Sequence, residues 1–146
     1  MAHTEEINPR TVLVVDDQHG ILILLKLILE THGYRALLAP GAKDALQLLG
    51  QDDLKVDLLL TDVVMPGMDG MDLARICKEL RPGLPILFMS GFVDTEAVRL
   101  KVWDEGVRVL SKPFTEETIV GNICEILGAV RLPTGKPQTA RAASSN

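Results

Sequence analysis

Five short apolar runs punctuate the chain: TVLVV (11–15), YRALLA (34–39), VDLLL (56–60), PILFM (85–89) and VRVL (107–110). Most are continuous rather than alternating, which is the pattern of strands buried on both faces of a parallel sheet. The stretches between them carry apolar residues at helical spacing. Residues 70–81 place Leu73, Ala74, Cys77 and Leu80 on one face, and residues 115–129 do the same with Ile119, Ile123, Ile126 and Leu127. Strand and helix therefore alternate five times. Because parallel strands need crossover connections, this order predicts a doubly wound α/β fold, a five-stranded parallel sheet with helices on both faces. Gly33 is placed to end the first helix, Pro82 and Gly83 to separate the third helix from the fourth strand, and Gly106 to precede the fifth strand.

The first helix breaks the amphipathic rule. Ile21, Leu24, Leu25, Ile28 and Leu29 already form a core-facing stripe, yet Ile23 and Leu27, one turn apart, point the other way. A helix apolar all round is either deeply buried or touches a partner. We therefore expect Ile23 and Leu27 to mark a docking or self-association face, a second copy of the chain being one candidate occupant and the C-terminal tail another cover. The window ILILLKLILE is interrupted by Lys26 and falls short of the about 20 residues a membrane span requires.

At 146 residues, with 47% hydrophobic and 24% charged, the chain fits one globular domain. The reading is a short N-terminal extension (1–9), one domain (10–130) and a tail (131–146) whose Pro-, Ser- and Ala-rich composition predicts disorder. The N-terminus lacks the basic and apolar regions of a signal peptide, so a cytoplasmic location is expected. A net charge of −5 argues against direct nucleic-acid binding through phosphate neutralisation. Cys77 and Cys124 lie in apolar stretches as reduced, buried thiols, and His19 and His32 lack a second ligand at metal spacing, so both histidines read as surface residues.

The polar residues at the carboxyl ends of the apolar runs are Asp16 and Asp17, Asp62, Ser90 and Lys112. In open α/β sheets ligands bind in the crevice there, so residues distant in sequence should converge. Three crowded carboxylates repel, and a hard cation with oxygen ligands, magnesium above all, is the simplest neutraliser. Lys112 and Ser90 suit an anion with several oxygens, such as a phosphoryl group. Neither histidine nor cysteine completes an acyl-transfer triad. Asp16 or Asp17 is also expected to cap the helix beginning near His19, and Met65 and Met68 to pack the loop after Asp62.

Four motifs in order, VVDD (14–17), TDVVMPGMDG (61–70), MSG (89–91) and SKPF (111–114), resemble those of response-regulator receiver domains, the phosphorylation modules of two-component signalling. The resemblance covers about residues 10–130 and implies a flavodoxin-like fold of the receiver type. It implies that Asp62 is the phosphoacceptor, with Asp17 and Asp62, Asp16 through water, and the backbone carbonyl of Val64 holding Mg2+. By the same resemblance Ser90 and Lys112 bind phosphoryl oxygens, the Lys112–Pro113 peptide is cis, and the donor is a phosphohistidine on a histidine kinase or histidine phosphotransfer protein.

The sequence departs from the family pattern at Val109, at Val64 and Phe92, and in the first helix with its outward Ile23 and Leu27. Receiver domains usually carry Tyr or Phe three residues before the lysine, where Val109 stands, so Phe92 or the helical segment between strands four and five is expected to carry the signal instead. Val64 and Phe92 flank the path of an attacking water, which predicts slow self-dephosphorylation. Two alternatives remain: an interaction module that works without phosphorylation, and an aspartate-nucleophile phosphatase of the haloacid-dehalogenase kind. The second needs another aspartate two residues after the nucleophile, where Val64 stands. No output domain follows Val130, so a stand-alone switch is expected, although SGF and LSKPF resemble the receivers of hybrid kinases.

Overall fold

The computed structural model describes residues 9–91 and 107–128. Five strands, β1 (Thr11–Val15), β2 (Arg35–Ala39), β3 (Leu58–Asp62), β4 (Ile86–Ser90) and β5 (Val107–Ser111), form one parallel sheet in the order β2-β1-β3-β4-β5. Four helices lie among the described residues: α1 (His19–Thr31), α2 (Ala42–Leu49), α3 (Gly70–Leu80) and α4 (Glu116–Leu127). Gly106, Phe92 and the segment between β4 and β5, and both chain ends, lie outside the described residues.

Alternation along each strand divides the core into two layers, because successive side chains point to opposite faces. Leu13, Val15, Leu59, Ile86 and Phe88 pack with α2 and α3, while Val12, Val14, Leu58, Leu60, Leu87 and Met89 pack with α1 and α4. Every residue of β1, β3 and β4 is buried, as continuous apolar runs require. Met65 is buried in the first layer and Met68 packs against it, so the loop after β3 is pinned at its centre.

Three strands end later than the apolar runs do, β5 among them at Ser111. β3 runs through Thr61 to Asp62 and β4 through Ser90, since the ladder is made by the backbone and continues past the last apolar side chain; Asp62 pairs with Met89, and the Val63 N–H donates to the Met89 carbonyl at 3.1 Å. Asp62 is thus the last residue of a strand. Asp57, inside the expected run, instead accepts a hydrogen bond from the Thr11 N–H at 2.7 Å.

The phase of α1 also differs from expectation. Its buried residues are Leu22, Leu25, Ile28 and Leu29, whereas Leu24 is 44% exposed beside Ile23 and Leu27. The polar edge of α1 is narrow, Lys26 and Glu30 one turn apart and both exposed, so packing on the sheet decided which of the flanking leucines are covered. Neither Asp16 nor Asp17 caps α1: Gln18 is its N-cap, without a side-chain bond. Leu80, the last residue of α3, is exposed rather than core. His32 is more than a bystander, its Nε2 lying 2.7 Å from Glu116 Oε2 on α4. Gly33 turns the chain out of α1 with φ 90°, which only glycine adopts without cost.

Candidate functional site

From β1 the chain crosses first to β2 on one side and later to β3 on the other, so the two connections leave in opposite directions. A crevice opens at that switch between the carboxyl ends of β1 and β3, and the strand-end residues converge on it. Asp16, Asp17 and Asp62 each bring one carboxylate oxygen within 4.8 Å of the others. Asp62 is buried at the end of β3, Asp16 is fully buried after β1, and Asp17 is exposed at the rim.

Asp16 is held from one side only. Its Oδ1 accepts the Gln18 N–H at 2.8 Å, while its buried Oδ2 has no hydrogen-bond partner. Burial raises its pKa above the ordinary aspartate value, the negative charges of Asp62 and Asp17 add to this, and the Gln18 N–H and Lys112 oppose it.

Lys112 reaches in from beyond β5, its Nζ 3.2 Å from Asp62 Oδ2 and 3.8 Å from Asp16 Oδ2. Backbone pairing brings it there: Ser90 and Ser111 are partners across β4 and β5, and the Lys112 N–H donates to the Ser90 carbonyl at 2.8 Å. The Lys112–Pro113 peptide is cis. Ser90 is buried at the end of β4 and its hydroxyl donates to the Gly91 carbonyl at 3.2 Å. One ammonium faces three carboxylates. The orphaned Asp16 Oδ2 and an all-oxygen donor set fit a hard divalent cation, which would neutralise the excess and give that oxygen a partner.

The remaining candidates lie around this centre. Val64 is 57% exposed on the loop that leaves Asp62. Val109 sits opposite Phe88 on β5, partly buried against the layer shared with α2 and α3. Ile23 and Leu27 are 48% and 64% exposed on α1. An open depression of about 460 Å³ at the amino ends of β3 and β4, lined by Val56, Arg81, Gly83 and Pro85 among others, has no comparable set of convergent groups; its Arg81 is committed to the Leu49 and Gln51 carbonyls.

Gly70 closes the TDVVMPGMDG motif, yet the sequence reading gave it no role of its own. It opens α3 directly beneath Asp62, where its N–H donates to the Val63 carbonyl at 2.8 Å. The legible signal was a glycine at the junction of the loop and α3, a position that implies a turn or a close backbone approach.

Residues 12–123 match the model of the response regulator receiver domain family. The chain belongs to that family. The receiver protein CpdR of Brucella abortus is 34% identical over 124 residues, 81% of this chain and 97% of CpdR. The sensor kinase CckA of the same organism is 30% identical over 117 residues, but this chain spans only 12% of that kinase's length. Among solved structures, a receiver domain protein from Clostridium thermocellum superposes with a TM-score of 0.71 at 28% identity, covering 81% of this chain and 94% of that one. The receiver domain thus occurs in relatives both nearly alone and as a small part of a larger kinase.

No helix among the described residues of this receiver domain is long and apolar enough to cross a membrane.

Proposed function

We propose that this receiver domain is a cytoplasmic phosphorylation-dependent switch in which Asp62 accepts a phosphoryl group from a phosphohistidine on a histidine kinase or histidine phosphotransfer protein. The observation that carries this reading is the approach of Lys112 Nζ to Asp62 Oδ2 inside a cluster of three carboxylates. An Asp62 carboxylate oxygen forms the new bond to phosphorus, and the donor imidazole nitrogen leaves with the electron pair of the broken bond. The chemistry is mostly positioning and charge neutralisation.

Asp16, Asp17, Asp62 and the Val64 carbonyl are the proposed holders of Mg2+, which when bound offsets charge on the phosphoryl oxygens. Lys112 then exchanges its contact with Asp62 for a phosphoryl oxygen, and the Ser90 hydroxyl turns from Gly91 to another. Pro113 holds the chain beyond Lys112, and Val109, too small for a large side-chain swing, leaves the readout to Phe92 and the segment between β4 and β5. The exposed face of Ile23 and Leu27 is proposed as the surface on which a helical partner docks.

The test is incubation with a small phosphodonor and Mg2+, followed by intact mass, with Asp62→Asn as control. A mass gain that persists and is absent from the control supports the switch. Rapid turnover of the donor without accumulation identifies a phosphatase, and no reaction identifies an interaction module independent of phosphorylation.

A further inference from the structure

Gly70 lies where α3 begins, and its surroundings are unlike those of the other described glycines. A Cβ built on it would overlap the carbonyl oxygen of Asp62 and stand 3.0 Å from both the Asp62 carbonyl carbon and the Val63 Cα. All three atoms are backbone, so none can swing aside. Gly67, in the loop just before it, has nothing within 4 Å of such an atom but adopts φ 77°. Gly67 serves a turn, whereas Gly70 serves a close approach.

The approach is reinforced from several directions. The Gly70 N–H donates to the Val63 carbonyl at 2.8 Å, and the Thr61 hydroxyl donates to the Asp62 carbonyl at 3.0 Å. Asp69 caps α3 by accepting the Asp72 N–H at 2.9 Å, which fixes the first helical turn against the strand end. Met65, buried midway, ties down the loop between. The peptide linking Asp62 to Val63 is therefore clamped by the start of α3. That peptide lies between the Asp62 carboxylate and the Val64 carbonyl, so a displacement of it moves both.

We propose that Gly70 is a positioning residue for phosphotransfer: its missing side chain lets the first turn of α3 seat against the Asp62 carbonyl, and this seating sets the separation of the Asp62 carboxylate from the Val64 carbonyl. The inference rests on the proposed reading that those two groups share a cation. Alanine at this position pushes the strand end and α3 apart. A displacement approaching 1 Å in a positioned group can cost about 100-fold in rate, so Gly70→Ala is expected to weaken Mg2+ binding at least tenfold and to slow phosphorylation by the small donor comparably.

The experiment is an Mg2+ titration followed by backbone amide shifts, alongside thermal unfolding, for the wild type, Gly70→Ala, Gly67→Ala and Asp69→Ala. Gly67→Ala strains a positive φ without crowding Asp62, so it is expected to lose stability and keep its Mg2+ affinity. Asp69→Ala loosens the first turn of α3 without adding an atom near Asp62; it is expected to lower affinity a few-fold, and it decides the matter if Gly70→Ala does not fold. Absence of Mg2+ binding by the wild type overturns the functional reading itself. Wild-type binding with unchanged affinity in a folded Gly70→Ala, unchanged affinity in Asp69→Ala, or an equal loss in Gly67→Ala overturns the role of Gly70 alone.

Discussion

Replacing Asp16 by asparagine isolates the tension built into the crevice. The asparagine oxygen can keep the 2.8 Å bond from the Gln18 N–H, while the negative charge beside Asp17 and Asp62 disappears. Lys112 retains Asp62 at 3.2 Å, so its ammonium keeps a partner. A buried acceptor left without a partner costs about 1–3 kcal/mol, and Asp16 Oδ2 is one, with only the ammonium at 3.8 Å to offset it. Without metal, Asp16→Asn is therefore expected to stabilise the fold by about 1–2 kcal/mol, which for a domain of this size raises the melting temperature by roughly 3–6 °C per kcal/mol.

The sign with pH follows from the raised pKa of Asp16. The folded state holds this proton more tightly than the unfolded chain, so the wild type keeps full stability in acid and loses some as pH rises through the folded-state pKa. The advantage of Asp16→Asn is accordingly absent in acid and grows as pH rises through the raised folded-state pKa. Mg2+ reverses the ranking once it is well above its dissociation constant: at about a hundred times that value it stabilises the wild type by about 2.7 kcal/mol and the variant much less. Thermal unfolding at acidic and neutral pH, with and without Mg2+, measures all of this. A variant that is less stable than wild type without metal at neutral pH, or equally stabilised by Mg2+, would refute the reasoning.

Other expectations follow from the same geometry. With Val64 exposed and apolar beside Asp62, the aspartyl phosphate is expected to persist for minutes or longer; Val64→Gln, able to hold a water, should shorten its lifetime several-fold, and loss within seconds in the wild type refutes the idea. Ile23→Glu with Leu27→Glu lies on an exposed face and should change stability by only about 0.5 kcal/mol, while slowing phosphotransfer from a partner or abolishing self-association; if both are unchanged, the face is not a docking surface. Burial pushes the Cys77 thiol up to about 11 and leaves it fully covered, whereas Cys124 is half-buried, its Sγ 3.3 Å from the Tyr34 hydroxyl. One thiol, that of Cys124, is expected to react with a disulfide reagent in the native state at pH 8; fast modification of Cys77 shows the α3 layer to be looser than described. Because the Cys77 pKa is raised, its contribution is intact below pH 9 and is lost as pH rises through about 11, which alkaline unfolding of Cys77→Ala against wild type reads directly.

Among the described residues the order of strands and helices was written in the chain, because continuous apolar runs and helical spacing each bury only one way. The convergence of Asp16, Asp17, Asp62, Ser90 and Lys112 was likewise legible, since parallel strands in a doubly wound sheet must present their carboxyl ends at one edge. Three features depended on the assembled structure. The rotation of α1 was set by the sheet, which took Leu22 and released Leu24, because the polar edge of Lys26 and Glu30 is too narrow to specify which flanking leucines are covered. The ladder carried β3 through Asp62, because backbone hydrogen bonds are indifferent to where the greasy run stops. The seat of Gly70 against the Asp62 carbonyl joins residues brought together only when α3 folds back on β3. Periodicity records which side chains seek the interior, whereas close approaches of backbone to backbone leave no pattern in it and emerge only from packing.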